Sequence, residues 1–185
     1  MTPQTVQHET FLYEVDAGDV LRRVERTSAD DTRVAVTVGD SLWDHVEGQR
    51  LRQFYHFVLA HVRRTGATVR IPFRCDAPEC RRDMLMVVEP LPDRGVRFST
   101  SLVDAQPRAP LRLLATDAPR SGEIQAICSM CLALALPDGS WVPLEEGVER
   151  LGLLRAGDFP RLSHGMCDAC FQREMAALET SVAEG

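Results

Sequence analysis

Cys128-Ser129-Met130-Cys131 and, 35 residues further on (132–166), Cys167-Asp168-Ala169-Cys170 are two CxxC pairs. Two intervening residues let both sulfurs of a tight turn face one point, with backbone N–H groups directed at them. Four thiolates at about 2.3 Å complete a tetrahedron around Zn2+. A single pair would suit redox chemistry; two pairs in one short stretch point to a metal, with Cys128, Cys131, Cys167 and Cys170 as the ligands. The same sulfurs would accept iron or an iron–sulfur cluster. A closed site of four cysteines has no open position for water or substrate, so hydrolysis is not expected.

The residues between the pairs fit a small metal-held module. Leu132 to Leu136 is apolar, Pro137-Asp138-Gly139-Ser140 is a turn, and Trp141-Val142-Pro143-Leu144 returns, which predicts a β-hairpin. Phe171 to Glu179 reads as a helix, with Phe171, Met175 and Leu178 at i, i+4, i+7. A knuckle, a hairpin and a second knuckle opening a helix is the order of a treble-clef zinc finger. The positive end of the helix dipole would stabilise thiolate there. So short a module folds because the metal cross-links it.

Composition supports a globular protein and removes several functions. Apolar residues make up 44% and charged residues 26%, ordinary for a folded chain. All 21 Lys+Arg residues are Arg, and Lys and Asn are absent. That excludes a P-loop lysine, a Schiff-base lysine and a kinase magnesium-binding asparagine. The start, MTPQTVQHET, has neither a basic nor an apolar signal-peptide region, and no apolar run suits a membrane span. A cytoplasmic protein is expected, in which paired Cys serve metals or redox chemistry rather than structural disulfides.

The formal net charge is −6. Residues 1–120 hold 17 Arg against 17 acidic residues; residues 121–185 hold 4 against 10, so the whole excess lies in the last third. This step, with the Pro-rich stretches 105–110 and 116–122, predicts a linker over 105–122 and a zinc module over 123–180. Leu111 to Ala115 within it reads as a small strand or docking segment. An acidic module around a thiolate metal centre would repel phosphate, so a protein partner is expected and nucleic acid is not.

Upstream, Phe11, Tyr13 and Val15 alternate, Asp16-Ala17-Gly18-Asp19 turns, and Val20 to Val24 returns as a second strand. Gly48 to Arg64 is a helix: Leu51, Phe54, Tyr55, Val58, Leu59 and Val62 form one stripe, and Gly66 stops it. Strands follow over Val69–Phe73, Met84–Val88 and Val96–Leu102, the last two joined at Asp93-Arg94-Gly95. Val34, Val36 and Val38 also alternate. His56 and His61 lie on the long helix, roughly 130° and 90° from the centre of its apolar stripe; His56 should face water and His61 the flank, a poor arrangement for haem. Trp43 reads as core.

Two strands, a helical middle and three antiparallel strands is the order of a PAS domain, and Val38-Gly39-Asp40-Ser41-Leu42-Trp43-Asp44-His45 resembles the G-x-S-hydrophobic-W-D start of a PAS helix. The resemblance covers 9–104 and departs from the family at Val34–Val38, where short helices are usual. It implies an α+β fold, a PAS-like antiparallel sheet with helices, and a role in sensing or dimerisation without naming a ligand. Ile127-Cys128-Ser129-Met130-Cys131, Asp138-Gly139-Ser140-Trp141 and Ser163-His164-Gly165-Met166-Cys167-Asp168-Ala169-Cys170 resemble a Cys-rich tail (ICxxC…DGxW…SHGxCxxC) of bacterial PAS and two-component signalling proteins. That tail usually has Pro where Asp168 stands; Asp suits a helix first turn. The resemblance makes His164 a hydrogen-bond donor to a thiolate rather than a fifth ligand, with Ser163 capping the local turn.

Cys75 and Cys80 form a separate pair among Arg74, Arg81 and Arg82. Nearby cations favour thiolate, so a reversible disulfide is one reading and two inert loop thiols the other; a second metal site lacks ligands. No nucleophile–base pair stands out for catalysis. The expected function is a non-enzymatic bacterial signalling protein, a PAS-like domain with a structural Zn2+ module that meets a protein partner and allows a homodimer. The alternative is a zinc-dependent thiol switch or disulfide-type oxidoreductase using Cys167 and Cys170.

Overall fold

The alternation in the first hundred residues builds one sheet. In the computed structural model, which describes residues 10–26, 36–153 and 157–183, β1 (Thr10–Val15) and β2 (Leu21–Arg26) form the expected hairpin. Asp16 closes its turn, its Oδ1 accepting from the N–H groups of Gly18 at 2.8 Å and Val20 at 3.0 Å. β3 (Val69–Arg74), β4 (Cys80–Pro90) and β5 (Val96–Pro107) complete an antiparallel sheet of order β2-β1-β5-β4-β3. β4 and β5 outrun the expected strands because their polar ends, Cys80–Asp83 and Asp104–Pro107, go on pairing.

The long helix α1 (Gln49–Thr65) matches its apolar stripe and lies on one face of this sheet. Leu51, Phe54, Val58, Leu59 and Val62 are buried against Tyr13, Ile71, Met86, Val88 and Phe98. Each fully buried side chain of this kind is worth about 1.5–3 kcal/mol. Gly66 ends the helix in the left-handed region at φ 71°, its N–H bonding the Val62 carbonyl at 2.9 Å. The Tyr13 and Phe98 rings stack at 4.7 Å, and Tyr55 lies 6.0 Å from Phe98, so aromatic rings fill the space between helix and sheet.

The valine alternation does not make a strand where it is described. Val34 lies outside the described residues; Val38 is exposed, and Thr37–Asp40 is a turn in which Asp40 accepts from the Thr37 N–H at 3.0 Å. A single 3-10 turn, Leu42–Asp44, follows, its Ser41 hydroxyl capping the Trp43 N–H. Trp43 is half-buried and stacks on the exposed His56, with ring centroids 3.8 Å apart.

The second sheet is mixed. β6 (Arg120–Cys128) pairs antiparallel with β7 (Leu134–Ala135), which pairs with β8 (Trp141–Val142) as the expected hairpin. β9 (Phe159–Gly165) runs parallel to β6 on its other side. α2 (Leu144–Arg150) precedes β9 and α3 (Asp168–Ala183) follows it. Residues 105–107 and 120–122 of the expected linker therefore belong to strands. Leu111–Ala115 is not a strand but a 3-10 turn, Arg112–Leu114, whose flanking Leu111 and central Leu113 are buried. They join Ile127, Leu134, Leu144, Val148 and Phe159 in a core of their own.

The two sheets share the larger core. Cys128, Met130, Met166, Cys167, Cys170 and Leu178 are buried in the same cluster as Phe54 and Val58. α3 packs along α1 and covers the flank where His61 sits, so His61 is 5% exposed rather than peripheral. Burial and the nearby Arg64 lower its pKa. Gly48 allows a close approach between the start of α1 and the backbone of β9: a Cβ there would stand 3.1 Å from the His164 carbonyl oxygen, and its φ of 77° disfavours any side chain. No described helix is long and apolar enough to cross a membrane.

Candidate metal centre

The first CxxC pair sits where β6 gives way to a tight turn, the second where β9 gives way to α3. β6 delivers Cys128, whose N–H bonds the Ala133 carbonyl at 2.8 Å while its own carbonyl accepts from Leu132 N–H at 2.9 Å. Closing that turn puts Leu132 at φ 62°, a conformation uncommon for a side-chain-bearing residue. β9, held in register by Ile127↔His164 and Cys128↔Gly165, delivers Cys167 beside it. Cys170 follows in the first turn of α3. The parallel pairing of β6 and β9 thus brings together two pairs that are far apart in the chain.

All four sulfurs lie within 4.8 Å of one another, and Cys131 Sγ is 3.9 Å from Cys167 Sγ. A tetrahedron with metal–sulfur bonds of about 2.3 Å has edges of about 3.8 Å, so the spacing fits Zn2+. It is far beyond the ~2.05 Å of a disulfide, and all six Cys are free. Backbone N–H groups reach the sulfurs, Cys167 N–H to Cys128 Sγ at 3.4 Å and Cys170 N–H to Cys167 Sγ at 3.5 Å. Cys128, Cys167 and Cys170 are buried; Cys131 is half-buried.

The thiols compete for protons. Hydrogen bonds from Cys131 and Cys170 hold Cys128 far below the usual thiol range. Sharing with Cys128 pushes Cys131 up to about 11 and Cys170 higher still. A negative charge on Cys128 is therefore accommodated readily, while further charge on Cys131 and Cys170 is resisted by their bonds to Cys128, by burial and by repulsion. A divalent cation removes that conflict, because four thiolates around it leave a formal charge of only about −2.

His164 and Ser163 occupy β9 opposite Ile127 and Ala126. His164 is exposed and Ser163 half-buried, and among the described residues neither side chain hydrogen-bonds a sulfur. Backbone amides do that work instead. Arg173, on α3, pairs with Glu174 at 2.7 Å, and that bond raises its pKa. Asp168 opens α3 and pairs with Arg50 of α1, tying the helix start to the other sheet's helix.

The first knuckle is also bolted to the first sheet. Arg74 N–H, at the end of β3, bonds the Met130 carbonyl at 2.8 Å. The Arg74 guanidinium reaches Asp76 Oδ2 at 2.7 Å and Glu145 of α2 at 2.6 Å. Arg108 joins the same Asp76 carboxylate and lies 3.2 Å from Glu145. Asp76's side chain is 0% exposed. Burial opposes the Arg74 charge, but the two carboxylates outweigh it and its pKa rises. Sequence reading missed this cluster, since nothing in local spacing links Arg74 and Asp76 to residues 108 and 145.

Cys75 and Cys80 flank the tip of the β3–β4 connection and are both half-buried and free. Of the three neighbouring arginines, only Arg82 reaches a sulfur, at 3.7 Å from Cys75 Sγ. Arg74 is committed to Asp76 and Arg81 to Asp83 at 3.5 Å. In comparisons with known proteins, no family model, no curated protein and no solved structure matches the chain, so the chemistry of the site itself carries any assignment.

Proposed function

We propose that the chain is a non-enzymatic signalling protein in which a PAS-like sensing or dimerisation domain carries a structural Zn2+ module for contact with a protein partner. The observation that carries it is the convergence of four thiols from two distant turns into a buried, closed cage whose wall is the core of the first sheet. A closed cage supplies cross-linking rather than catalysis. Cys128, Cys131, Cys167 and Cys170 would hold the ion; Cys167 and Cys170 amides would orient their neighbours' sulfurs. The treble-clef comparison is supported by the knuckle, the β7–β8 hairpin and α3, with β6, α2 and β9 as additions. The PAS-like comparison is supported by two strands, a helical crossing and three more strands in one antiparallel sheet. The acidic excess of the last third favours a protein partner over nucleic acid.

One observation favours a thiol switch as the second reading. Cys131 is the half-buried member of the cage, and its sulfur lies 3.9 Å from that of Cys167. Peroxide would take two electrons from these thiolates, forming the Cys131–Cys167 bond and, with two protons, leaving two waters, while the ion departs. The pair assigned from sequence, Cys167 and Cys170, is buried. Measuring bound zinc and free thiols before and after mild hydrogen peroxide separates the two. A structural cross-link keeps one zinc per chain and six thiols. Loss of zinc together with two thiols, restored by a reductant, would overturn it in favour of the switch.

A further inference from the structure

A second concave site lies outside the metal module, where the C-terminal half of α1 meets the turns β1–β2 and β4–β5. It encloses about 500 Å3, within the range of small-molecule clefts and far more than one inorganic ion needs. Arg63 builds it. Its guanidinium donates to the Asp16 carbonyl at 2.8 Å, to Asp19 Oδ1 at 2.7 Å and to the Arg94 carbonyl at 3.0 Å. Two turns are thereby fixed to α1 through one side chain that is only 12% exposed.

Asp19 is the cleft's carboxylate and it is fully engaged. Its second oxygen accepts from Trp43 Nε1 at 2.9 Å. The remaining polar groups of the lining, Arg64, Arg94 and His56, bring no negative charge. Arg64 and Arg94 are exposed and have no carboxylate partner among the described residues. Arg94 is held there by an unusual backbone, for Asp93 and Arg94 are consecutive non-glycine residues at φ 57° and 60°. Such conformations are unfavourable for residues that carry a side chain and persist where the surroundings impose them. Here the turn is closed by the Leu91 N–H on the Gly95 carbonyl at 2.9 Å and the Gly95 N–H on the Pro92 carbonyl at 3.1 Å, and the Arg63 bond to the Arg94 carbonyl braces it. Leu59 and Ala60 supply an apolar floor, and the His56 ring is set by its stack on Trp43.

We infer that this cleft binds a small organic anion, its phosphate or carboxylate group between the guanidinium groups of Arg64 and Arg94 and its apolar body on Leu59 and Ala60. Paired guanidiniums match the geometry of either group. The site is separate from the metal centre and does not depend on it. It goes beyond the proposed sensing role by naming a ligand class and placing it outside the aromatic-filled helix–sheet interior.

The test titrates the full, metal-loaded chain at constant ionic strength with phenyl phosphate, benzoate and inorganic phosphate, followed by calorimetry and tryptophan fluorescence, to which Trp43 contributes. Saturable one-site binding of phenyl phosphate or benzoate is expected, the tighter of the two naming the head group, with inorganic phosphate at least tenfold weaker. The surface variant Arg64→Ala/Arg94→Ala should weaken that binding at least tenfold while keeping its bound metal. No saturable binding of either organic anion, equal binding of inorganic phosphate, or an unaffected double variant would each overturn the inference. Metal content measured on the same samples keeps this failure distinct from failure of the metal centre.

Discussion

Replacing Cys128 by Ser should remove the bound metal and unfold the C-terminal module. Cys128 is 0% exposed, so the substitution deletes a ligand with no solvent-side replacement. Binding of a structural zinc supplies an apparent 10–16 kcal/mol in small modules, about as much as the whole stability of a domain. The loss should spread. Cys128, Met130 and Cys170 share a core with Phe54 and Val58, and α3 covers His61 on α1. Metal per chain is expected to fall from about one to near zero, with a Tm drop of well over 10 °C and loss of helical circular dichroism from α3. The double variant Cys75→Ser/Cys80→Ser, away from the cage, should keep the metal and most of the stability. A Cys128→Ser chain that retains one tightly held ion at an unchanged Tm would contradict the four-sulfur site.

Asp76→Ala should be the most damaging single change outside the cage. The carboxylate is wholly buried and holds two guanidiniums, those of Arg74 and Arg108, that are 12% and 11% exposed. It also accepts from the Arg82 N–H at 3.2 Å. Removing it leaves two largely buried cations sharing one partner, Glu145, that is itself half in solvent. Breaking a buried pair in this way costs about 3–5 kcal/mol. The urea midpoint should fall accordingly, with the first knuckle loosened because Arg74 also holds the Met130 carbonyl. A loss under about 1 kcal/mol would show that the cluster is not a structural bolt. The cluster also has a pH signature. Burial raises Glu145's pKa, but Arg74 and Arg108 prevail and hold it below the ordinary carboxylate value. Its contribution is then present above that ordinary value and is lost as pH falls through the depressed one, and solvent exposure keeps it small.

Local periodicity made much of the fold legible. The stripe from Leu51 to Val62 gave α1 to within a residue at each end, and the alternation of Tyr13 with Val15 and of Val96 with Phe98 gave strands of the first sheet. The CxxC spacing named the four sulfurs that converge. The failures have physical causes. β9 carries Pro160 and a polar centre, Arg161-Leu162-Ser163-His164, because it takes its strand form from parallel pairing with β6 rather than from its own pattern. α2 has apolar Leu144, Val148 and Leu151 at helical spacing, but Gly147 breaks its propensity; that glycine is needed because a Cβ would stand 2.8 Å from Leu134 Cβ. His61 looked peripheral because the wheel of α1 could not include α3. Arg74 looked like an activator of Cys75 because its true partners, Asp76 and the distant Glu145, belong to tertiary structure. The wall formed by Arg63 was hidden for the same reason, as two of its three bonds go to backbone carbonyls.

The central claim is that one divalent ion is held tetrahedrally by sulfur alone, and cobalt substitution tests it most directly. The full chain, stripped with a chelator under reducing conditions and titrated with Co2+, should bind one ion. It should show intense thiolate-to-cobalt charge transfer in the near ultraviolet and the strong visible bands of a tetrahedral all-sulfur site, and one equivalent of Zn2+ should abolish them. Weak octahedral bands, or no saturation at one ion per chain with all six thiols reduced, would contradict it.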